Sequence, residues 1–284
     1  MHRVLLENCP DEVCESEVDL GKFVRSRLCL VTRWCGGGVR SVGTGSLVPV
    51  FDLFNHASGQ RPGVEWSWDE EGDGMVMKAT KAHEAGEELF ISYGPHSNAV
   101  LYGTYGFTQP PDVEPHWSYW LSPNQLHKFE EELLSLSGGS LRGQQIFLYS
   151  NHADPTLQAV LTTVAEGGGD RPSFLRAICE RCLTPFAADA SLQKVLEALT
   201  RSRALAPRSA AWWAALGAED QALANSEAVR VKMAGYLCLV VHLEVLDLVA
   251  GTLPEESCLA PATDLREGLE KALRGEPDLN GQPH

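Results

Sequence analysis

The stretch Leu47-Val-Pro-Val-Phe-Asp-Leu-Phe-Asn-His56 decides how this chain is read. Taken alone, an Asn-His pair closing an apolar run reads as a turn. The downstream sequence changes that reading. About 30 residues on comes Gly86-Glu-Glu-Leu-Phe-Ile-Ser-Tyr-Gly94, then Ser97-Asn-Ala99, then Tyr105-Gly-Phe107. Glu88–Tyr93 is a short predicted strand stopped by Gly94-Pro95. A tyrosine ending a strand is ordinarily core. The ordered set, at this spacing, is far more specific than any of its parts.

Upstream, Ser16-Glu-Val-Asp19 reads as a helix start with Ser16 as the cap. Leu20, Phe23, Val24, Arg27, Leu28 and Val31 then recur at helical spacing, and the glycine-rich Gly36–Gly45 cannot continue the helix. Between the two halves of the motif, Val64, Trp66 and Trp68 alternate with polar residues, an acidic glycine turn intervenes, and Met75, Met77 and Ala79 alternate back. That pattern is a hairpin. Beyond Pro110-Pro111-Asp112 the signals are helical. Ser122-Pro-Asn-Gln125 is a capping box leading into Leu126–Leu136, and Asp154-Pro155 and Pro172-Ser173 open two more helices. Leu192, Val195, Leu196 and Leu199 mark a fourth, and Asn225-Ser226 precedes a long helix ending at Gly251 with Pro254 beyond it. The predicted fold class is α+β. Residues 1–110 form the β-rich piece, 111–253 an all-α piece, and 254–284 an acidic tail expected to be partly disordered.

The 284 residues allow one large domain or two modest ones, and 44% hydrophobic residues exclude disorder throughout. With 23 Lys+Arg against 38 Asp+Glu, the net charge of -15 repels phosphate backbones. Nucleic acid is therefore excluded as the expected partner, and a protein substrate with a basic segment is favoured. The apolar stretch Tyr236–Ala250 is interrupted by His242, Glu244 and Asp247, so it reads as a buried core helix and no membrane span is expected. The start Met-His-Arg-Val-Leu-Leu-Glu-Asn lacks a secretory pattern, so the eight cysteines are expected to be reduced thiols in an intracellular compartment. Cytoplasm, nucleus and plastid all suit that reading, and a monomer is expected.

Three motifs are set aside. Asp69-Glu-Glu71-Gly-Asp73-Gly74 imitates a calcium loop, but Thr80 stands where the bidentate glutamate belongs and strands flank it. Cys179-Glu-Arg-Cys182 is a lone CxxC within a predicted helix, read as two structural thiols. Gly43-Thr-Gly45 is a bare GxG with no long helix after it. No metal site is expected.

The surviving set resembles the C-terminal half of a SET domain, in the branch typified by the Rubisco large-subunit lysine methyltransferase and the actin-histidine methyltransferase. Val24-Arg-Ser-Arg27, Leu47–His56, Glu88–Gly94, Ser97-Asn-Ala99 and Tyr105-Gly-Phe107 carry the resemblance. The helical remainder is similar to that branch's substrate-binding domain. The resemblance implies a knot-like core in which the Asn-His segment and the Tyr93 strand thread past one another. It implies that Asn55 and His56 hold S-adenosyl-L-methionine, partly through backbone groups, that Phe107 stacks on the adenine, and that Arg27 and Asp52 shape the cofactor or substrate pocket. Tyr93 would be the catalytic tyrosine and Tyr105 would line the channel for the target side chain.

The chemistry is compatible. Methyl transfer from a sulfonium is a direct displacement by a neutral amine or imidazole, and a lysine with an ordinary pKa of about 10.4 must first lose its proton in a desolvated channel. Positioning and exclusion of water do most of the rest. Aromatic walls from Phe54, Tyr105 and Phe107 suit a cationic sulfonium. In this branch a GxG-bearing segment precedes the Arg-Ser-Arg helix, and nothing in Met1–Asp19 looks like it. An N-terminally incomplete SET domain is therefore expected. S-adenosylmethionine-dependent methylation of a protein side chain, lysine ahead of histidine, is the expected function of the full-length form. The alternative is a non-catalytic protein-binding module or pseudoenzyme that keeps the substrate-binding helices.

Overall fold

The alternation of Val64-Glu-Trp66-Ser-Trp68 and its return from Met75 to Ala79 produces the hairpin it encodes. In the computed structural model, which describes residues 20–33, 47–58, 62–69, 71, 74–94, 96–110, 116–129, 141, 143–201, 216–254 and 263–276, β2 (Val64–Asp69) pairs antiparallel with β3 (Gly74–Ala79). The register sets Val64 opposite Ala79 and Trp66 opposite Met77. Ser16–Asp19, the Gly36–Gly45 break and residues 70, 72 and 73 of the acidic turn lie outside the described residues.

The chain separates by its contacts into two compact units, Met1–Tyr93 and Gly94–His284. In the first, helix α1 (Leu20–Arg33) precedes a 3₁₀ turn (Phe51–Leu53), which delivers the two-residue strand β1 (Asn55–His56). β1 pairs parallel with β4 (Phe90–Ile91), Asn55 opposite Phe90 and His56 opposite Ile91. Ala57 N–H to Ile91 O and Gly63 N–H to Phe90 O extend the junction on both sides. A small apolar cluster of Phe51, Val64 and Ile91, flanked by Val48, Phe54, Trp66, Met75, Leu89 and Tyr93, holds this unit. The predicted strand over 88–93 is thus only two residues long. Beyond it, the Tyr93 N–H bonds to a side chain, His56 Nδ1, instead of to a strand carbonyl.

The second unit carries the larger core. Helix α2 (Asn98–Tyr105) is capped by Ser97 and ends at Gly106, whose φ of 79° suits only glycine comfortably. The capping box forms as predicted: Ser122 N–H donates to Gln125 Oε1 at 2.9 Å and Gln125 N–H returns to Ser122 Oγ at 3.4 Å, at the head of helical residues 123–129. Asp154 and Asp170 cap α3 (Pro155–Glu166) and α4 (Arg171–Ala187). After α5 (Ala190–Arg201) and α6 (Ala218–Ala224), the long helix α7 (Glu227–Val249) runs through the core and presents buried side chains from Val229 to Leu246. No described helix is long and apolar enough to cross a membrane.

Two elements depart from the all-α expectation for residues 111–253 and from the expected tail. β5 (Ser118–Leu121) and β6 (Ile146–Tyr149) form an antiparallel ribbon. Leu121, Ile146 and Leu148 on one face are fully buried, while Trp120, Phe147 and Tyr149 occupy the other. Both faces being apolar or aromatic, the ribbon hides the alternation that would have revealed it. Beyond Pro254, α8 (Thr263–Arg274) packs Leu265 and Leu269 into the core at 0% exposure. That stretch of the tail is therefore an integral helix.

Candidate active site

The 3₁₀ turn and β1 place the residues of the Leu47–His56 stretch in sharply different environments. Asn55 is exposed and His56 is buried, as the two-residue repeat of a strand requires. Asn55 Nδ2 donates to Glu88 Oε1 at 2.6 Å, which fixes the amide so that Oδ1 faces away from the carboxylate. The His56 ring lies between two partners. Tyr93 N–H donates to its Nδ1 at 3.0 Å, and Nε2 lies 2.9 Å from Ser58 Oγ. A backbone N–H can only donate, so Nδ1 must present its lone pair and the proton resides on Nε2.

Tyr93 is held at its other end as well. Its hydroxyl donates to the Phe54 carbonyl at 2.7 Å, and its ring lies 5.2 Å from that of His56 at 41°. With the hydroxyl proton committed to Phe54, the phenolic oxygen is left as an acceptor. Residues 54–56 therefore fix both the backbone and the side chain of Tyr93, across 37 residues of sequence.

Asp52 pairs with Arg33, whose Nη1 lies 3.3 Å from Oδ2 and 3.4 Å from the Asp52 carbonyl oxygen. Arg27 lies exposed on the same helix as Arg33. Tyr105 and Phe107 belong to the second unit, partly buried, their rings 6.2 Å apart at 44°, with His96 6.3 Å from Tyr105. Burial raises the Tyr105 hydroxyl above its ordinary pKa. The structure thus brings Asn55, His56 and Tyr93 together in one unit and Tyr105 with Phe107 in the other. Sequence reasoning passed over Glu88, Arg33 and Ser58. The i,i+6 spacing of Arg27 and Arg33 gave no way to choose between them, and Glu88 sat unremarked inside the Gly86–Gly94 motif.

Cys179 and Cys182 are buried on α4, and burial pushes the first thiol well up and the second to about 11. Thiols so disfavoured as thiolates are structural, as expected.

Residues 9–94 match the SET domain family. This match ends one residue past the boundary of the first unit and includes Asp52, Asn55, His56 and Tyr93. That part of the chain is therefore similar to SET domains. Among its relatives, the ribosomal lysine N-methyltransferase set11 of Schizosaccharomyces pombe (strain 972 / ATCC 24843) is 32% identical over 93 residues, which are 32% of this chain and 23% of that protein. SET domain-containing protein 4 of Homo sapiens is 34% identical over 30% of this chain and 19% of its own length. N-lysine methyltransferase setd6 of Xenopus laevis is 38% identical over 22% of this chain and 13% of its own. The matched stretch thus spans less than a quarter of each of these relatives. Among solved structures, the SET domain of LSMT bound to lysine and AdoHcy aligns over 99% of this chain and 66% of that one, at 16% identity and a TM-score of 0.46. Rubisco LSMT bound to AdoMet aligns over 100% and 66%, at 16% identity and a TM-score of 0.38.

Proposed function

We propose that this chain contributes the tyrosine-bearing half of a protein methyltransferase site that uses S-adenosyl-L-methionine and acts on lysine ahead of histidine. One observation carries the reading: Tyr93 is locked at its backbone by His56 and at its hydroxyl by the Phe54 carbonyl. A phenolic oxygen held as an acceptor can receive an N–H from an incoming amine and aim the lone pair, without serving as a base. This matches what a displacement on a sulfonium asks of a protein, which is chiefly orientation.

The residues present suit the cofactor. Asn55 is exposed, its amide orientation fixed by Glu88, and it would contact the adenosine portion together with backbone groups of His56. The phenolic oxygen of Tyr93 and the half-buried Phe54 ring offer the electron-rich surface a sulfonium favours. When bound, S-adenosylmethionine supplies the electrophilic methyl group. Arg33 is better situated than Arg27 to shape the site, because it holds Asp52. Tyr105 and Phe107 would line the target channel and face the adenine, and the threading of the Asn-His segment past the Tyr93 strand belongs to the same proposal. Two of the relatives are lysine N-methyltransferases, which supports lysine as the acceptor.

The alternative, a non-catalytic protein-binding module, rests on the extent of the second unit's core. Calorimetry with S-adenosylmethionine separates the two. Binding that weakens at least about ten-fold in Asn55→Ala supports the enzyme reading. No binding at millimolar cofactor, with the chain folded, refutes methylation by this polypeptide and leaves the module.

A further inference from the structure

The outer face of the β5–β6 ribbon carries four aromatic rings in one continuous stack. Trp120 and Phe147, directly opposite across the strands, are 6.0 Å apart at 11°. Phe147 and Tyr149 are 6.4 Å apart at 16°, and Tyr149 and His152 are 4.6 Å apart at 13°. The opposite face of the ribbon anchors it through Leu121, Ile146 and Leu148, so the stack stands on a rigid base. Core packing does not explain this arrangement, because the terminal ring, Trp120, is 53% exposed.

Near-parallel rings leave an open flat end instead of an enclosure. Such an end suits a planar group that stacks, and does not suit a bulky ammonium, which needs rings on several sides. Two planar classes compete: nucleobases and the guanidinium of arginine. Charge decides between them. The unit that bears the stack, Gly94–His284, holds 23 Asp+Glu against 14 Lys+Arg, and burial first, then the Asp154 carboxylate, raises the Tyr149 hydroxyl above its ordinary pKa. A polyphosphate backbone would be repelled, whereas a cationic peptide would be drawn in.

We propose that the Trp120–Phe147–Tyr149–His152 stack is a docking surface for an arginine-bearing segment of a basic protein, one guanidinium lying flat on the outer face of Trp120. The surface is independent of methyl transfer and would serve a catalytic or a non-catalytic chain equally. Its stacking partner is arginine, which distinguishes it from any channel for a target lysine.

The test tracks the indole Nε1–H signal of Trp120, one of seven tryptophans, during titration of the full chain with a short Arg-Gly-Ser repeat peptide. Matched lysine and citrulline peptides and an oligothymidylate of similar length serve as comparisons. The arginine peptide is expected to shift the Trp120 signal, to bind several-fold more tightly than the lysine peptide, and to lose about ten-fold in affinity with Trp120→Ala. Trp120→Leu, which keeps the apolar cover over Phe147, should lose nearly as much if the aromatic face is what binds. Equal binding of the citrulline peptide, equal binding of the oligothymidylate, or unchanged arginine-peptide affinity in both folded variants would each overturn the assignment.

Discussion

The backbone N–H of Tyr93 bonds to Nδ1 of His56 over 3.0 Å, an imidazole standing in where a longer strand would supply a carbonyl. β1 and β4 pair for only two residues each, so Tyr93, two positions beyond Ile91, is outside the ladder. His56→Leu leaves that half-buried N–H without its acceptor and strips Ser58 of its ring partner, which should cost about 1–3 kcal/mol. His56→Asn, whose Oδ1 occupies nearly the place of Nδ1, should recover part of it. Urea denaturation measures both, and amide exchange at Tyr93 should quicken in the leucine variant and much less in the asparagine one. Equal stability of the leucine variant and the wild type would remove His56 from this role.

A second imidazole makes stability depend on pH. His242 is fully buried on α7, its Nδ1 2.9 Å from the Cys238 carbonyl oxygen and its Nε2 buried without a hydrogen-bond partner among the described residues. Burial lowers its pKa to about 4, with the Cys238 carbonyl opposing and His152 adding to the fall. The unfolded chain, with an ordinary histidine, therefore binds more protons than the folded one between about pH 6.5 and 4. The stabilisation is complete above that window and lost as pH falls through it, about 3 kcal/mol in all. His242→Phe should flatten this part of the profile of unfolding free energy against pH. An unchanged slope would mean the acid sensitivity lies elsewhere.

How far these features were legible in the sequence varied with the physics behind each. The β2–β3 hairpin showed because one face is apolar and the other polar, and the helix starts at Ser122 and Asp154 showed because their chemistry is local, whereas the helix expected to open at Pro172-Ser173 is capped earlier, by Asp170. The β5–β6 ribbon was hidden by having a core face and an aromatic face, which erases the period of two. Helix α8 was hidden among charges and prolines, its few leucines spaced correctly but outnumbered. Asn55, His56 and Tyr93 could be named from the sequence as candidates, yet their mutual bonds could not. Those bonds depend on which strand faces which, and only the fold decides that.

The hidden helix gives a third prediction. A Cβ at Gly268 would sit 2.9 Å from Ala153 Cβ and 3.2 Å from its backbone nitrogen, and backbone cannot step aside. Gly268→Ala should therefore lift α8 from its seat and cost about 1–3 kcal/mol, despite alanine's better helix propensity. If thermal unfolding shows the variant equal to or more stable than the wild type, α8 does not pack as described.

Thiol chemistry supplies a fourth. Cys29 is exposed on α1, whereas Cys179, Cys182 and Cys238 are buried, the first two with their thiolates strongly disfavoured. Iodoacetamide on the native chain near pH 8 should label Cys29 readily and leave those three untouched until denaturant is added. Peptide mass spectrometry reads the order directly. Early labelling of Cys179 or Cys182 would show that α4 opens far more easily than its packing implies.

The stretch that decides the fold also holds a strained residue. Val50 adopts φ 73° and ψ −46°, a positive-φ conformation that a β-branched side chain strongly disfavours, typically by about 1–3 kcal/mol. Its side chain is largely exposed, so little burial offsets that cost. The adjoining turn imposes the strain. Leu53 N–H returns to the Val50 carbonyl and Asp52 N–H to that of Val48, closing the turn that aims Asn55 and His56. Val50→Gly removes the steric penalty but adds freedom to the unfolded chain, and the two effects oppose each other. The net should be a gain of about 1 kcal/mol, whereas Val50→Ile should leave stability unchanged or lower. Chemical denaturation of the two variants checks this, and a Val50→Gly chain less stable than wild type would show that the turn does not hold Val50 at positive φ.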